Sequence, residues 1–303
     1  MEKSIGIIPV RFASSRFPGK PLVELCGKPM IQWVYEQAQK SKFLEQVIVA
    51  TDDEWIYKAV CGFGGCVLMT SNDHTCGTSR VAEVAEGLSV EIIINIQGDE
   101  PLIEPDMIDQ VVQGMQTDPD VYMATLKKRI TNKDDVNNPH VVKVVTDRNG
   151  FALYFSRAGI PYEQGDRRQE AGDYGQQTSD IRQETSDIRQ ETSDIRRQTG
   201  DIRQEAGTNV SAPYWYKHIG LYGYRREFLL KINKLPYSSL EAAESLEQLR
   251  VLENGYKIRV IETEYDTIGV DTHKDLVEVA RIIGRNGRHR GLSLHTTTTP
   301  LTP

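Results

Sequence analysis

The stretch of sequence best equipped for chemistry is a basic loop, residues 11–22, that directly follows a strand-like apolar run at residues 5–10. Within it stand three cations, two hydroxyls and a glycine: Arg11, Ser14, Ser15, Arg16, Gly19 and Lys20. In an open parallel sheet, ligands bind beyond the carboxyl ends of the strands, which is where a loop after the first strand lies. Backbone N–H groups and cationic side chains suit a polyphosphate, so we expect a triphosphate site here. An ordinary basic surface loop is the alternative.

The basic loop differs from two common phosphate-binding fingerprints. It follows neither the pattern G-x-x-x-x-G-K-[ST] nor the pattern G-x-G-x-x-G. The sequence therefore disfavours both a P-loop NTPase and a dinucleotide-dependent dehydrogenase.

Two aspartates are candidate ligands for a divalent cation. Asp99 follows the very apolar run at residues 92–96, in the stretch NIQGDEP, so its carboxylate should point into the same crevice as the basic loop. Asp271, in the stretch GVDT, directly precedes a helical pattern. Aspartate is also common in turns and as the N-cap residue of a helix. Local sequence leaves both interpretations open.

Two further segments suit the recognition of a base or a sugar. Residues 73–80, DHTCGTSR, follow a strand and open a helix, and they include Thr78 and Arg80. His218 and Tyr222 lie four residues apart and therefore on one face of a predicted strand. A plain loop-to-helix junction and a packed histidine are the corresponding structural interpretations.

The scaffold that must position these residues has an α/β pattern. Short runs rich in β-branched residues alternate, through the first half, with segments whose apolar residues recur every three or four positions. The predicted strands are 5–10, 47–50, 66–69 and 92–96, and the predicted helices are 29–39, 54–61, 78–86 and 105–115. This alternation indicates βαβ units and a mainly parallel sheet.

After residue 120 the strand candidates come closer together, which indicates a smaller mixed lobe. They are 121–126, 141–145, 152–155 and 218–224, followed by helices at 240–253 and 271–283. The first of these two helices carries acids on one face and by itself is an ordinary solvated helix.

Composition narrows the class of protein. The 303 residues are 39% hydrophobic and 26% charged, which is typical of a folded globular protein of one large or two modest domains. A net charge of -7 disfavours general binding to nucleic acid or anionic membranes, so an anionic ligand needs a local cationic site. The four cysteines show no CxxC spacing, which indicates reduced packing residues. Without a membrane-span or signal-peptide pattern, we expect a cytoplasmic protein.

One segment departs from the α/β pattern. From Ser179 a seven-residue repeat, SDIRQET, SDIRQET, SDIRRQT, GDIRQEA, carries one isoleucine per unit. A coiled coil needs two apolar positions per heptad, and the Thr, Ser and Gly residues lower helix propensity further. We therefore expect residues 163–209 to be a low-complexity, disordered insertion, with a partner-binding helical arm as the alternative. Residues 285–303 predict a frayed tail.

The motifs taken together carry a family resemblance. They are IPVR, PGKPL, DHTCGTSR, NIQGDEP, ALYFSR, HIGLYGYR, LEQLR and GVDT. In order and spacing they resemble the 3-deoxy-manno-octulosonate (Kdo) cytidylyltransferases, also called CMP-Kdo synthetases, over residues 4–162 and 213–283. The resemblance implies transfer of CMP from CTP to the anomeric hydroxyl of Kdo, with release of pyrophosphate, for lipopolysaccharide-type glycan synthesis.

The same resemblance implies an architecture. We expect an α/β fold with a Rossmann-like, mainly parallel sheet flanked by helices, of nucleotidyltransferase type, with a smaller mixed α/β lobe. Residues 1–162 and 210–284 would form a single cytidylyltransferase domain. Mg²⁺ is the expected cofactor, CTP and Kdo are the expected ligands, and a homodimer is the expected assembly.

The resemblance also implies a role for particular residues. The triphosphate of CTP would be held by Arg11, Ser14, Arg16 and Lys20, and the cytidine by Thr78, Arg80 and Gln97. The sugar site would be lined by Arg157, His218, Tyr222, Glu247 and Gln248, and Mg²⁺ would be held by Asp99 and Asp271. Arg16, Lys20 and Asp99 would be catalytic. Two positions depart from the family pattern, with Cys76 in place of a serine and Ser79 in place of an acid.

Two other functions stay open at this point. A cytidylyltransferase for another acidic sugar, such as an amino-substituted Kdo or a sialic-acid-like sugar, would show similar motifs, and a substrate panel separates it from a Kdo enzyme. A non-catalytic nucleotide-binding scaffold built around the heptad repeat is more distant. Such a scaffold should have lost Lys20 or Asp99, and both are present.

Overall fold

The computed structural model describes residues 2–13, 17–163 and 214–287, with the side chains of residues 286 and 287 excepted. The chain divides into two units, Met1–Ile160 with Trp215–Pro303, and Pro161–Tyr214. All helices and strands given below belong to the first unit. The predicted insertion and tail lie outside the described residues, apart from residue 163 and residues 285–287, so both stay predictions.

Eleven strands are found in the described part of the chain. They are β1 (Ser4–Val10), β2 (Glu24–Leu25), β3 (Lys28–Pro29), β4 (Gln46–Thr51), β5 (Val67–Met69), β6 (Ile92–Asn95), β7 (Met123–Arg129), β8 (Lys143–Thr146), β9 (Ala152–Ser156), β10 (Tyr216–Arg225) and β11 (Ile258–Glu262). The short strands β2 and β3 form a hairpin of their own. The other nine form one sheet, with the order β11-β7-β10-β6-β1-β4-β5, and with β8 paired to β10 and β9 paired to β8.

The sheet is mainly parallel with one antiparallel strand inserted near its centre. β1 runs parallel to both β4 and β6, and β11 runs parallel to β7. β10 lies between β6 and β7 and is antiparallel to both. The expected α/β class, a mainly parallel sheet flanked by helices, is confirmed, and the closely spaced later strands extend the same sheet.

The described helices are α1 (Met30–Ala38), α2 (Glu54–Gly62), α3 (Gly77–Glu86), α4 (Pro105–Gln116), α5 (Asp134–Asn137), α6 (Arg226–Ile232), α7 (Ser239–Glu244), α8 (Gln248–Glu253) and α9 (His273–Gly287). Local signals explain where several begin. Asp53 accepts hydrogen bonds from the first N–H groups of α2, and Pro105 stands in the first turn of α4, where its missing N–H is harmless. Across the described residues, we find no helix that is long and apolar enough to cross a membrane.

Both faces of the sheet are covered, which explains the continuous apolar runs of its strands. Along β6, Ile92 and Ile94 pack on the face covered by α1 and α4, while Ile93 packs on the face covered by α3 and α6. All three side chains are fully buried. Removing each from water stabilises the fold by about 1.5–3 kcal/mol before entropy is counted. A strand buried on both faces reads as a run of isoleucines and needs no alternation.

The eight elements predicted in the first half agree with the structure to within one residue at either end. Later in the chain the sequence analysis did not find α6 or β11. The single helix predicted at 240–253 is wrong. The structure has α7 and α8 instead, because Ser245 adopts a left-handed conformation, with φ 53° and ψ 48°, that no helix can continue. The break buries Leu246 and brings Glu247 beside Thr78.

Close packing between β10 and α4 gives a test of this architecture. A Cβ atom on Gly223 would lie 2.6 Å from both Val111 Cγ1 and Met115 Sδ. We expect Gly223→Ala to lower the free energy of unfolding by about 1–3 kcal/mol, because the helix must move away from the sheet. In the control Gly62→Ala, at the end of α2, a Cβ meets nothing within 4 Å. Denaturant unfolding measures both, and equal stability of the two variants would contradict the packing.

Candidate functional site

The ammonium of Lys20 joins two carboxylates that the sequence analysis picked out separately. Lys20 Nζ lies 2.7 Å from Asp99 Oδ2 and 3.4 Å from Asp271 Oδ1. The lysine is buried, whereas the two aspartate side chains keep about a third and about half of their exposure. Three distant parts of the chain therefore converge on one charge cluster.

The basic loop delivers Lys20 through a tight turn. The N–H of Gly19 donates to the carbonyl of Phe12 at 3.0 Å and so closes the loop. Gly19 has φ 70°, a left-handed conformation that glycine adopts without strain. Lys20 then begins a single 3-10 turn, Lys20–Leu22, which directs its side chain into the fold.

Asp99 is carried by a turn packed directly against β1. A Cβ atom on Gly98 would lie 2.2 Å from Val10 Cγ1, so only glycine permits this approach. The carbonyl of Asp99 accepts a hydrogen bond from the N–H of Val270 at 2.9 Å. That bond ties the turn after β6 to the segment that carries Asp271.

Asp271 is not the N-cap of the following helix. Thr272 Oγ1 accepts from the N–H of Asp275, and Asp275 Oδ2 accepts from the N–H of Thr272 at 2.8 Å. This reciprocal arrangement is a capping box, and it satisfies the start of α9 without the side chain of Asp271. The carboxylate of Asp271 is instead directed towards Lys20.

The two aspartates offer carboxylate oxygens, the kind of ligand that Mg²⁺ takes in proteins. Among the described residues no cluster of three or more His, Cys, Asp or Glu side chains could hold a metal ion. Mg²⁺ is commonly bound by only one or two carboxylates, with water and substrate phosphates as its remaining ligands. Two carboxylates that already share one cationic partner fit that pattern.

A cavity of about 120 Å³ collects five more of the predicted site residues. Its walls include Thr78, Gln97, Tyr222, Glu247 and Gln248. Four separate parts of the chain supply them, because Thr78 is on α3, Gln97 follows β6, Tyr222 is on β10, and the last two lie at the start of α8. The break at Ser245 is therefore what turns the acidic segment towards this cavity.

Two buried oxygen atoms beside the cavity have no hydrogen-bond partner within the described residues. They are Glu247 Oε1 and Asn95 Oδ1. The other oxygen of Glu247 accepts from Thr78 Oγ1 at 3.1 Å, and burial raises the pKa of Glu247. A buried acceptor without a partner is costly, so this wall is suited to a ligand that brings hydrogen-bond donors. The sequence analysis missed Asn95, whose only signal is an amide that ends a run of isoleucines.

His218 and Tyr222 present neutral groups rather than charges. Removal from water lowers the pKa of His218 to about 3 and raises that of Tyr222 above its usual value. His218 Nε2 lies 3.0 Å from Thr125 Oγ1, and that hydroxyl has two backbone carbonyls within reach of its single proton. The hydroxyl therefore donates to a carbonyl and accepts from Nε2–H, which leaves Nδ1 of the neutral imidazole as an acceptor.

Two further predicted residues, Arg80 and Arg157, are placed apart from the cluster and the cavity wall. Arg80 is buried and donates to Asp52 Oδ2 at 2.7 Å, while Arg157 donates to the carbonyls of Glu244 and Pro139. Both guanidinium groups therefore bind other parts of the protein. Arg11 is exposed, and Ser14 and Arg16 lie outside the described residues. Their roles in ligand binding stay predictions.

Sequence comparisons identify similar proteins along nearly the whole chain. A family model described as cytidylyltransferase matches residues 5–258. A 3-deoxy-manno-octulosonate cytidylyltransferase of Geobacter sulfurreducens is 48% identical, over 90% of this chain and 96% of that protein. One of Fusobacterium nucleatum is 45% identical, over 94% of this chain and 98% of that protein.

Comparison with solved structures agrees with the sequence matches. A structure of CMP:2-keto-3-deoxy-manno-octonic acid synthetase complexed with CTP is 38% identical, with a TM-score of 0.76 over 94% of this chain and 99% of that chain. A 4-diphosphocytidyl-2C-methyl-D-erythritol synthase from Anaerococcus prevotii covers 93% of this chain and 99% of that chain at a TM-score of 0.52. Its identity is 12%, so that likeness concerns the fold alone.

The shared cationic partner of Asp99 and Asp271 can be tested without an activity assay. We expect Lys20→Met to lower the free energy of unfolding by about 1–2 kcal/mol, because the buried cation that contacts both carboxylates is removed. Millimolar Mg²⁺ should then raise the melting temperature of the variant more than that of the parent protein.

The control is Lys28→Met, which removes an ammonium that lies 2.6 Å from Glu36 on α1. Its melting temperature should respond to Mg²⁺ as the parent protein does. A Lys20→Met variant with parental stability and no added response to Mg²⁺ would show that the cluster is not held by this charge.

Proposed function

This chain belongs to the 3-deoxy-manno-octulosonate cytidylyltransferase family, and on that premise we propose that it transfers CMP from CTP to Kdo and releases pyrophosphate. It is a nucleotidyltransferase. The observation that carries the proposal is the cluster of Lys20, Asp99 and Asp271 at the carboxyl ends of β1 and β6, with a polar cavity beside it. Ligands of open α/β sheets bind at this edge.

The proposed reaction brings two negatively charged reactants together. Kdo is an anion, and its anomeric hydroxyl must attack an α-phosphorus that is surrounded by negative oxygens. In our proposal, Lys20 and Arg11 bind the triphosphate, and Lys20 stabilises the pyrophosphate as it departs. Ser14 and Arg16 would also bind the triphosphate, and Arg16 would join Lys20 in stabilising the pyrophosphate. No covalent intermediate on the protein is needed.

The metal belongs to the same proposal. Asp99 and Asp271 would hold Mg²⁺, which when bound supplies a Lewis acid at the α-phosphate and favours ionisation of the attacking hydroxyl. The residues of the chain then have to align the two reactants, since an in-line displacement depends on the positions of the attacking and leaving oxygens.

Sugar recognition would come from the neutral and unpartnered groups at the cavity. Kdo carries several hydroxyls, and each can donate to an acceptor such as Glu247 Oε1 or Asn95 Oδ1. His218, whose ring packs against that of Tyr222, keeps the sugar-binding role that the family resemblance implies. Glu247 also borders a second cavity of about 490 Å³, whose lining includes Arg250 and Tyr237. We infer that the sugar lies near Glu247 and Gln248, with the cytidine closer to Thr78 and Gln97. Arg80 and Arg157 keep the ligand-binding roles that the family resemblance implies.

Three broader statements remain part of this proposal. They are a cytoplasmic location, a homodimeric assembly, and a place in the synthesis of lipopolysaccharide-type glycans. Each is what the family resemblance implies.

A coupled assay of pyrophosphate release tests the proposed reaction. We expect turnover with CTP, Kdo and Mg²⁺ together, and loss of turnover when any one is omitted or Mg²⁺ is chelated. Kdo should exceed sialic acid in kcat/KM by at least about a hundredfold, because buried acceptors left without donors penalise the wrong sugar.

Two results would contradict the assignment. Equal efficiency with the two sugars would favour a broader acidic-sugar cytidylyltransferase. Binding of CTP without turnover on any sugar acid would favour the non-catalytic scaffold. Amino-substituted Kdo belongs in the same panel, since a buried carboxylate also accepts from an ammonium group.

A further inference from the structure

The segment that carries Asp271 has no regular secondary structure. It runs from residue 263 to residue 272, between the end of β11 and the start of α9. Tertiary contacts therefore have to define its path. Near its start the N–H of Thr263 donates to the carbonyl of Lys127 at 2.9 Å, and near its end Val270 is fully buried and bonded to the carbonyl of Asp99.

The middle of this segment contacts an unusual pair of lysines. Lys128 on β7 and Lys217 on β10 are directly opposite each other in the antiparallel register. Their side chains are only 24% and 22% exposed. Two like charges at directly opposed positions destabilise a strand pair, so this part of the sheet requires an anion.

Asp266 supplies that anion. Its Oδ1 lies 2.5 Å from Lys217 Nζ and its Oδ2 lies 3.4 Å from Lys128 Nζ. One half-exposed ion pair adds little to stability. Here, however, one carboxylate contacts two cations that would otherwise repel each other, so it attracts both of them and offsets part of their repulsion.

The location of the contact connects it to the site. Asp266 precedes Asp271 by five residues, and Ile268 and Val270 between them pack beside Leu25 and Met30. The segment is thus fixed to the sheet at Asp266, to the core at Val270 and to Lys20 at Asp271. The segment before Asp266 is also held, because Tyr265 Oη donates to Asp106 Oδ2 at 2.7 Å. Loss of the Asp266 attachment therefore leaves the stretch from Asp266 to Asp271 held on its far side only at Val270 and at Lys20.

We propose that Asp266, held by Lys128 and Lys217, is a positioning residue that keeps Asp271 in place to receive a divalent cation. The proposal rests on the function proposed above for Asp271. Because the segment is ordered in advance, its ordering entropy does not oppose binding of the cation. Suppose that, without this attachment, Asp271 were in place in only about 10–20% of molecules. The apparent affinity for the divalent cation would then fall by about five- to tenfold.

The test compares Asp266→Asn with a matched control in the full-length protein. Glu45→Gln removes a carboxylate of similar exposure that pairs with Lys3 at the opposite end of the sheet. In Asp266→Asn we expect faster amide hydrogen exchange at Val270. We also expect weaker Mn²⁺ binding, with a dissociation constant five- to tenfold higher when it is measured by electron paramagnetic resonance. Lys217→Gln should reproduce both changes, and the control should show neither.

A double variant separates positioning from general destabilisation. In an Asp271→Asn background, Asp266→Asn should change Mn²⁺ affinity by less than twofold, because the group through which it acts is gone. In kinetic assays, the Mg²⁺ concentration that gives half-maximal rate should rise five- to tenfold, with kcat at saturating Mg²⁺ changed by less than about threefold.

The outcomes that overturn the proposal differ from those that overturn the proposed function. Unchanged Val270 exchange and unchanged Mn²⁺ affinity in Asp266→Asn would refute the positioning role, whatever the enzyme does with CTP and Kdo. An equal loss of Mn²⁺ affinity in the Asp271→Asn background would also refute it. A protein that lacks turnover but shows the expected exchange and Mn²⁺ changes would support the positioning role and contradict only the proposed reaction.

Discussion

The contact on which the site depends is the ammonium of Lys20 between the carboxylates of Asp99 and Asp271. The first carboxylate is 79 residues from the lysine in sequence and the second is 251 residues away. Without the ammonium between them, the two negatively charged carboxylates would repel each other. The fold meets this constraint by ending β1 and β6 at the same edge and by tying Val270 to the carbonyl of Asp99. In our proposal, a cluster assembled in this way is arranged for a divalent cation and a polyphosphate before either binds.

The cavity bordered by Glu247 and Tyr222 differs from this charged cluster, because it offers buried hydrogen-bonding groups. Removal from water raises the pKa of Glu247 and lowers that of His218, so burial disfavours the charged form of both groups. In our proposal, charge repulsion is concentrated where Lys20, Asp99 and Asp271 lie and where the triphosphate and Mg²⁺ would bind. Hydrogen-bond acceptors are concentrated at the cavity, where a polyhydroxylated sugar can satisfy them. This division explains how a chain with a net charge of -7 can serve two anionic substrates.

Much of this arrangement is predictable from sequence, for identifiable physical reasons. Strands buried on both faces and amphipathic helices leave strong patterns, so the first half of the fold and the edge that bears Asp99 were found correctly. Ser245 was not, since its left-handed conformation depends on tertiary packing and serine carries no strong signal for it. The partners of Arg80 and Arg157 could not be predicted from the sequence either. Contacts such as that between Arg80 and Asp52 depend on elements brought together only in the fold. Asn95 was missed for the same reason, because its place in the cavity wall depends on elements brought together only in the fold.

The central claim is that Asp99 and Asp271 act as one unit in CMP transfer, and a double-mutant cycle on the chemical step tests it most directly. The rate of CMP transfer from labelled CTP to Kdo would be measured in single turnover for Asp99→Asn, for Asp271→Asn and for the double variant. We expect each single variant to lose about a hundredfold or more, and the double variant to be only a few-fold slower than either, because residues that share one function lose it together. Losses that multiply in the double variant, or a near-normal rate for either single variant, would contradict the account.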